Sequence, residues 1–354
     1  MLRPRIAVFG AGAIGGYVGG HLTRAGHDVT LIDPWPEHVE AIRARGLEIS
    51  GMTPEEHCVV QVPTMHLTEV QSIAKQRPVD IAFVSVKSYD TVWATTMIAQ
   101  YLSEGGYVVS LQNCINEERI AGVVGWGRTV GMIAATISAE LVEAGRIVRT
   151  GPRGGTDGHE VFRVGEVHGR ITPRVQALGE MVACVDTVRV TTNLWGERWS
   201  KLCVNGMRNG VSAATGLNGN ARDRHDAIRR FTIRLGSEAV RVGQALGYVL
   251  EDIGNLKPDL LARAGEGDAA ALEEVEALIL AKSNTAARSD MQRPSMAQDM
   301  AKGRRTEIDF INGTIAEQGA RVGIRTPANE AITRLVKQVE RGEIPTRPEN
   351  VANL

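Results

Sequence analysis

Two patterns of apolar residues divide the chain. In the first half, short β-branched runs alternate with helical stretches, which is typical of a parallel sheet with helical crossovers. The predicted strands are Arg5–Phe9, Asp28–Ile32, Cys58–Val62, Asp80–Val86, Tyr107–Leu111 and Thr129–Ala135. The predicted helices between them are Ile14–Arg24, Pro36–Ala44 and Thr91–Leu102. Glycine-rich runs between Val142 and Glu166 predict an antiparallel hairpin instead of another crossover.

The strand pattern fades after about Asn193, and long helical patterns follow. They cover Leu194–Ala214, Arg222–Leu246, Ala269–Ala281, Met296–Val322 and Ala328–Val339. We therefore predict two domains, a doubly wound α/β domain over residues 1–190 and an all-helical domain over residues 191–354. The length of 354 residues agrees with two domains of ordinary size.

Composition excludes several classes of protein. Hydrophobic residues make up 43% and the formal net charge is −1, so we expect a globular chain with no electrostatic surface for nucleic acid or an anionic membrane. The four cysteines form no CxxC pair and no metal-ligand spacing, which argues against a metal site and favours a reducing cytoplasm. No stretch approaches the ~20 apolar residues of a membrane span.

A glycine-rich turn follows the first predicted strand. Gly10-Ala11-Gly12-Ala13-Ile14-Gly15 reads G-x-G-x-x-G and opens a helical pattern. The first glycine makes the turn, the second lets a pyrophosphate approach the backbone, and the third lets the helix pack on the strand. The unpaired N–H groups at the helix start favour the negative phosphates. The turn predicts a dinucleotide site, the alternative being a purely structural turn.

An acidic residue ends the second predicted strand. Asp33 lies 18 residues after Gly15, where a carboxylate can accept from the ribose hydroxyls of NAD and repels the 2′-phosphate of NADP. The next basic residue is Arg43, so a 2′-phosphate lacks an evident partner and NAD is favoured. The alternative is a solvated turn residue ahead of Pro34.

Three polar residues share one stripe of the first helix in the second half. Lys201, Asn205 and Asn209 are spaced i, i+4, i+8. A lysine with a lowered pKa can protonate the alkoxide formed when a carbonyl accepts hydride, and asparagines can hold the substrate. The only histidine beyond residue 170 is His225, in a charged run, which moves the acid role toward Lys201. A solvated helix face is the alternative.

Two further residues could belong to the site. Ser295 and Gln298 have the spacing of a capping box, whose helix start would also suit a carboxylate. Glu307 is either a partner for Lys201 or an acid in the first turn of a helix.

Several ordered motifs together resemble the ketopantoate reductase family. They are GAGAIGG at 10–16, SVKS at 85–88, LQN at 111–113, WSKLCVNGMRN at 199–209 and SMAQDMAKGRRTEIDFING at 295–313. The resemblance implies a Rossmann domain joined to a helical domain similar to the C-terminal one of 6-phosphogluconate dehydrogenase. It further implies that a 2-oxo acid is reduced between them.

The same resemblance implies roles for single residues. Lys201 would be the general acid, with Glu307 beside it. Asn205 and Asn209 would contact the substrate hydroxyl or carboxylate, and Ser295 would hold the carboxylate. The nicotinamide ribose and the reacting carbonyl would lie beside two residues of the N-terminal domain, Lys87 and Asn113.

The chain departs from the family pattern at four places. Cys114 follows LQN where the family has glycine, and NGVSAATG replaces the usual N-P-L-T-A run. Asp33 stands where NADPH-dependent members have a basic residue nearby. Residues 251–293 form an insertion-like stretch with the acidic pattern ALEEVEALIL. These departures concern cofactor and substrate more than the type of reaction.

The expected activity is hydride transfer between NAD or NADP and a small 2-keto or 2-hydroxy acid. The default is reduction of 2-dehydropantoate to pantoate, in pantothenate biosynthesis. An NAD-dependent dehydrogenase of a different hydroxy compound, in a catabolic pathway, is the alternative. Two further alternatives are a non-catalytic dinucleotide-binding module and a methyltransferase, although neither needs the polar stripe of the helical half. We also expect a homodimer formed through the long apolar stripes of that half.

Overall fold

The computed structural model describes residues 3–135, 137–155, 160–283 and 294–354. The chain forms two compact units, Met1–Leu194 and Trp195–Leu354. The first unit is built on a mainly parallel sheet and the second is helical, which confirms the predicted fold class. Within the described residues, no helix is long and apolar enough to cross a membrane.

The N-terminal unit alternates strands and helices. Its described strands are β1 Arg5–Phe9, β2 Asp28–Asp33, β3 Leu47–Ser50, β4 Cys58–Val60, β5 Thr64–His66, β6 Val79–Val84, β7 Leu102–Ser110, β8 Thr129–Ala134, β9 Ala139–Glu143, β10 Arg146–Arg149, β11 Phe162–Glu166 and β12 Val188–Thr191. Its helices are α1 Ala13–Arg24, α2 Pro36–Arg45, α3 Thr91–Ala99, α4 Glu117–Val124 and α5 Pro173–Val182, with 3-10 turns at Pro54–Glu56, Leu67–Lys75, Ser88–Asp90 and Trp126–Arg128.

Two sheets organise these strands. The larger has the order β12-β11-β8-β7-β6-β1-β2-β5, and its strands run parallel except that β11 pairs antiparallel with β8. The smaller has the order β4-β3-β10-β9. The hairpin expected between Val142 and Glu166 is therefore confirmed for β9 and β10 only, because β11 joins the larger sheet.

Helices cover the larger sheet on both faces. Along β1, Ile6 and Val8 pack in one apolar cluster with Leu22 of α1, while Ala7 and Phe9 point to the opposite cluster, which contains residues of α3. No residue of β1 exceeds 4% exposure. A strand buried on both sides accounts for the continuous apolar run that predicted it.

The C-terminal unit consists of helices. In the described residues these are α6 Leu194–Thr215, α7 Gly219–Arg224, α8 Asp226–Ala245, α9 Pro258–Gly265, α10 Ala269–Ser283, α11 Ser295–Ala301, α12 Asn312–Arg321, α13 Pro327–Glu340 and α14 Glu349–Ala352, with a 3-10 turn at Ile308–Phe310. The insertion-like stretch forms α9 and α10, and residues 284–293 lie outside the described residues.

Two predicted helices are wrong as continuous segments. The helix expected over Arg222–Leu246 is divided at His225, whose backbone is extended with φ −84° and ψ 111°. The helix expected over Met296–Val322 stops at Ala301, and Gly303 follows with φ +62°, a left-handed conformation that ends helices. The periodic apolar residues remain buried there, but they belong to three separate short elements.

Candidate active site

The glycine-rich turn connects β1 to α1. Gly10 has φ +97° and donates its backbone N–H to the carbonyl of Ile32 over 2.8 Å. The first intrahelical bond runs from the Gly16 N–H to the Gly12 carbonyl, also over 2.8 Å. The N–H groups of the residues between them therefore have no acceptor within the helix.

The three glycines of the motif serve different physical purposes. A Cβ on Gly10 would lie 2.9 Å from the carbonyl carbon of Ser85, and one on Gly15 would lie 2.0 Å from the Gly10 carbonyl oxygen. A Cβ on Gly12 would meet nothing within 4 Å. The first and third glycines thus allow close packing, while the second leaves open space in front of the helix start. This arrangement fits the pyrophosphate of a dinucleotide.

Asp33 lies beside this turn, at the end of β2. Its side chain accepts the backbone N–H of Ala11 over 2.8 Å and that of Trp35 over 2.9 Å, and the residue is 8% exposed. A carboxylate has about four acceptor positions. Asp33 can therefore hold the turn and still accept from a ribose hydroxyl, a structural role that the sequence did not predict.

Basic charge near the end of β2 is already neutralised. Arg43 donates to Glu40 over 2.9 Å, to Glu69, and to the carbonyl of Thr64 over 3.0 Å. The hydrogen bond to Glu69 is the main cause that raises the pKa of the Arg43 guanidinium. The nearest arginine in sequence after Asp33 is thus committed to two carboxylates.

Two loops that carry predicted site residues follow neighbouring strands. Lys87 follows β6 and Asn113 follows β7, and β6 lies between β7 and β1 in the sheet. The carboxyl ends of adjacent parallel strands meet at one edge of a sheet, where ligands bind in open α/β folds. The structure therefore brings Lys87, Asn113 and the glycine turn to the same edge.

Buried amides that the sequence analysis missed join these two loops. Gln112 donates to the carbonyl of Val86 over 2.7 Å. Asn116 donates to the Ser88 hydroxyl over 3.0 Å and to the Asn113 carbonyl over 2.8 Å. The LQN motif marked their neighbourhood, but Val86 and Ser88 lie on the other loop, so these contacts could not be inferred from spacing.

Cys114 has an unusual backbone. Its φ is +68°, the only positive φ of a residue other than glycine in the described chain, and it is 3% exposed. This left-handed conformation costs an ordinary residue about 1–2 kcal/mol. The turn after β7 therefore requires a backbone conformation that glycine adopts more easily than cysteine, in agreement with the glycine that the resemblance leads us to expect at position 114.

The polar stripe of the helical unit lies on α6. Lys201 and Asn205 are half-buried and Asn209 is 7% exposed. The opposite face of α6 is core, where Cys203 and Val211 are fully buried. The amide nitrogen of Asn205 is buried and has no hydrogen-bond acceptor among the described residues. A buried donor without an acceptor is costly, and a ligand oxygen at this position would satisfy the Asn205 amide.

A buried network holds α6 behind this stripe. Asn312 donates to the carbonyl of Gly206 over 3.0 Å and to the side-chain oxygen of Asn329 over 2.9 Å. Glu238 accepts the Asn329 side-chain amide over 2.7 Å and the backbone N–H groups of Ala328 and Asn329. Burial raises the pKa of Glu238 despite these bonds. The network fixes α6 between Asn205 and Asn209.

The structure corrects two expectations for the remaining residues. Ser295 is the first residue of α11 and Pro294 is its N-cap, so the capping box of Ser295 with Gln298 is wrong. Glu307 is 5% exposed and precedes a 3-10 turn, so its interpretation as a first-turn acid of a long helix is also wrong. Both residues belong to the same unit as Lys201.

A parallel sheet with this turn, together with a helical unit that carries a lysine and asparagine stripe, is the arrangement expected of a nicotinamide-dependent oxidoreductase. The chain belongs to the ketopantoate reductase family. The family model "Ketopantoate reductase PanE/ApbA" matches residues 6–158, and the model of its C-terminal domain matches residues 193–340.

Known relatives agree over nearly the whole chain. It is 32% identical to the 2-dehydropantoate 2-reductase of Pyrococcus horikoshii, over 95% of this chain and 97% of that protein. It is 27% identical to that of Archaeoglobus fulgidus, over 97% of this chain and 100% of that protein. The crystal structure of a PanE/ApbA family ketopantoate reductase from Ralstonia eutropha is similar, with TM-score 0.76, 27% identity, and coverage of 96% and 99% of the two chains.

One structural neighbour has a different name. D-mandelate dehydrogenase, solved with NADH and anilino(oxo)acetate, matches with TM-score 0.77 and 23% identity over 96% of this chain and 99% of that chain. At this identity the match shows a common fold.

The backbone of Cys114 generates a stability prediction. Cys114→Val should lower the free energy of unfolding by about 1–3 kcal/mol, because a β-branched side chain tolerates a positive φ poorly. Cys114→Gly should stay within about 1 kcal/mol of the wild type, because relief at this φ offsets the freedom that glycine adds to the unfolded chain. Denaturant unfolding measures both, with Cys114→Ala to isolate the thiol. Equal stability of the valine and glycine variants would contradict the argument.

Proposed function

We propose that the protein reduces a small 2-oxo acid to the corresponding 2-hydroxy acid with NADH, with 2-dehydropantoate as the first substrate to test. The observation that carries this proposal is the α6 stripe, where Lys201 accompanies Asn205, whose buried amide nitrogen has no described acceptor. A carboxylate or carbonyl oxygen of the substrate would satisfy that donor. The names of the relatives support the class of reaction and 2-dehydropantoate as the default.

The residues divide the work between binding and proton transfer. When bound, the nicotinamide supplies a hydride to C2 of the substrate. As the new C–H bond forms and the carbonyl double bond breaks, Lys201 gives a proton from Nζ to the oxygen, and solvent later restores it. Asn205, Asn209 and Ser295 orient the hydroxyl and carboxylate, and Glu307 keeps Lys201 charged and in place.

The N-terminal residues bind the dinucleotide. The turn from Gly10 to Gly15 would hold the pyrophosphate, and Lys87 and Asn113 would lie by the nicotinamide ribose and the reacting carbonyl. NADH is preferred over NADPH because Asp33 would face the 2′-phosphate while Arg43 is occupied by Glu40 and Glu69. D-mandelate dehydrogenase, which shares the fold, was solved with NADH.

A second candidate is an NAD-dependent dehydrogenase that oxidises another small 2-hydroxy acid. The carboxylate of Asp33 favours this candidate. A change of cofactor from the NADPH of its relatives to NAD suits an enzyme that works in the direction of oxidation.

We also propose a cytoplasmic homodimer formed through the helical unit, for which light scattering should give about twice the single-chain mass of 38.2 kDa. A mass of one chain would contradict the dimer.

Cofactor choice is the first measurement. NADH should bind at least about tenfold more tightly than NADPH, because Asp33 places negative charge beside the 2′-phosphate without a cationic partner. In Asp33→Asn the ratio of the NADPH dissociation constant to the NADH dissociation constant should fall toward one. Damage to the turn would weaken the binding of both cofactors alike, so it leaves this ratio unchanged. Turnover is then measured with 2-dehydropantoate and other small 2-oxo acids. Tight NADPH binding with fast 2-dehydropantoate reduction would overturn the NADH preference and keep the reaction.

Lys201 provides the test of the chemistry. Lys201→Ala should lower kcat by about 10²- to 10⁴-fold, the usual contribution of a general acid, with little change in the NADH dissociation constant. Lys201→Arg should lose most turnover too, because a guanidinium retains its proton. The control is Lys257→Ala, at an exposed lysine paired with Asp252. A Lys201→Ala protein that keeps full turnover would refute the assigned role, and wild-type binding without any turnover would favour a non-catalytic module.

A further inference from the structure

A fully buried histidine lies behind the glycine-rich turn. His38 belongs to α2 and has 0% exposure. The ring of Trp35 stacks on it, with centroids 5.5 Å apart and planes 14° from parallel. Nothing in the reaction proposed above uses His38.

The hydrogen bonds of His38 determine its tautomer. The backbone N–H of Gly145, in the turn between β9 and β10, lies 2.9 Å from Nδ1. A backbone N–H only donates, so Nδ1 accepts and carries no proton. Nε2 lies 2.9 Å from the carbonyl oxygen of Ala11, which only accepts. Nε2 therefore carries the proton and donates it, and the ring is neutral.

Both peptide groups around Ala11 are consequently anchored by side chains. The Ala11 N–H donates to Asp33 over 2.8 Å, and the Ala11 carbonyl accepts from His38. The carbonyl of Ala11 and the N–H of Gly12 belong to one planar peptide unit, which is trans because the described chain has no cis peptide bond. In a trans unit these two groups point in opposite directions. His38 thus fixes the direction of the Gly12 N–H, away from itself.

The hydrogen bond from His38 to the Ala11 carbonyl matters because the next residue, Gly12, is a glycine. Rotation of the Ala11–Gly12 peptide plane changes ψ of Ala11 and φ of Gly12, and glycine accepts either sign of φ at little cost. A rotated plane would present a carbonyl oxygen in the place of the N–H, which repels a phosphate. Gly12 has the open space in front of it that a phosphate would use. Gly12, which lets the pyrophosphate approach, is therefore also the residue whose N–H group is most easily turned away from it.

We propose that His38 is a positioning residue for the dinucleotide, acting through the Ala11 carbonyl to hold the Gly12 N–H toward the pyrophosphate. The inference rests on the proposed binding of a nicotinamide dinucleotide at this turn. The two nitrogens of the His38 ring thus have different roles. Nε2 serves the cofactor, whereas Nδ1 serves only the turn between β9 and β10.

Two substitutions isolate the two nitrogens. In His38→Gln the side-chain amide can reach the position of Nε2 and still donate to Ala11. In His38→Asn the shorter side chain offers an oxygen near the position of Nδ1 and can still accept from Gly145, but it loses the donor to Ala11. We expect the NADH dissociation constant to rise about tenfold in His38→Asn and to stay within about threefold in His38→Gln, from the usual effect of one hydrogen bond. The kcat at saturating NADH should stay close to wild type in both.

A merely structural role would not produce this order. Thermal unfolding of the two variants reports their stability, and equal weakening of NADH binding, or greater weakening in His38→Gln, would overturn the inference. If both variants fold poorly, the imidazole nitrogen shifts in the wild-type NMR spectrum still decide whether the proton is on Nε2, and a proton on Nδ1 would overturn it. Wild-type protein that binds neither NADH nor NADPH would overturn the proposed function, and this inference with it.

Discussion

The close approach of β1 and β6 at their carboxyl ends is the constraint on which the N-terminal unit depends. The turn after β1 passes so near Ser85 that neither Gly10 nor Gly15 has room for a side chain. Because the backbone turns there without a Cβ, α1 starts directly at the sheet edge, with its unpaired N–H groups beside the loops after β6 and β7. The buried amides of Gln112 and Asn116 then join those two loops to each other. Close backbone packing and buried hydrogen bonds thus join the sheet, the turn and the two loops at one edge.

The helical unit holds its polar stripe in place by other means. Its polar stripe is carried by a helix of 22 residues whose opposite face is apolar core. The carbonyl of Gly206, between two residues of that stripe, accepts from Asn312, which is tied through Asn329 to Glu238. Directional hydrogen bonds between buried polar groups hold a helix in rotation as well as in place, which apolar contacts alone do less well. The stripe is therefore carried by a helix whose orientation is set by buried hydrogen bonds as well as by apolar packing.

The sequence could predict whatever depends on local pattern. Continuous apolar runs located the central strands, and the motif spacing located the turn, Asp33 and the α6 stripe. It could not predict contacts that join distant segments, such as those of His38, whose partners lie 27 and 107 residues away. Nor did apolar periodicity show that Met296–Val322 is interrupted, because Ile308, Ile311 and Ile315 are buried whether or not one helix carries them. Glycine at position 303 was the available signal.

The two backbone bonds of Asp33 have a consequence for how this family can change its cofactor. A basic residue at position 33 would welcome a 2′-phosphate but would abandon the N–H groups of Ala11 and Trp35. The proposed NADH preference and the observed support of the turn therefore depend on the same carboxylate, so a single substitution at Asp33 would change both. A lineage that exchanged NADPH for NADH by acquiring this aspartate would gain a better-supported turn in the same step. A reversal from NADH to NADPH would require a second substitution that supports the Ala11 N–H in another way. The change toward NADH is therefore easier than the change back.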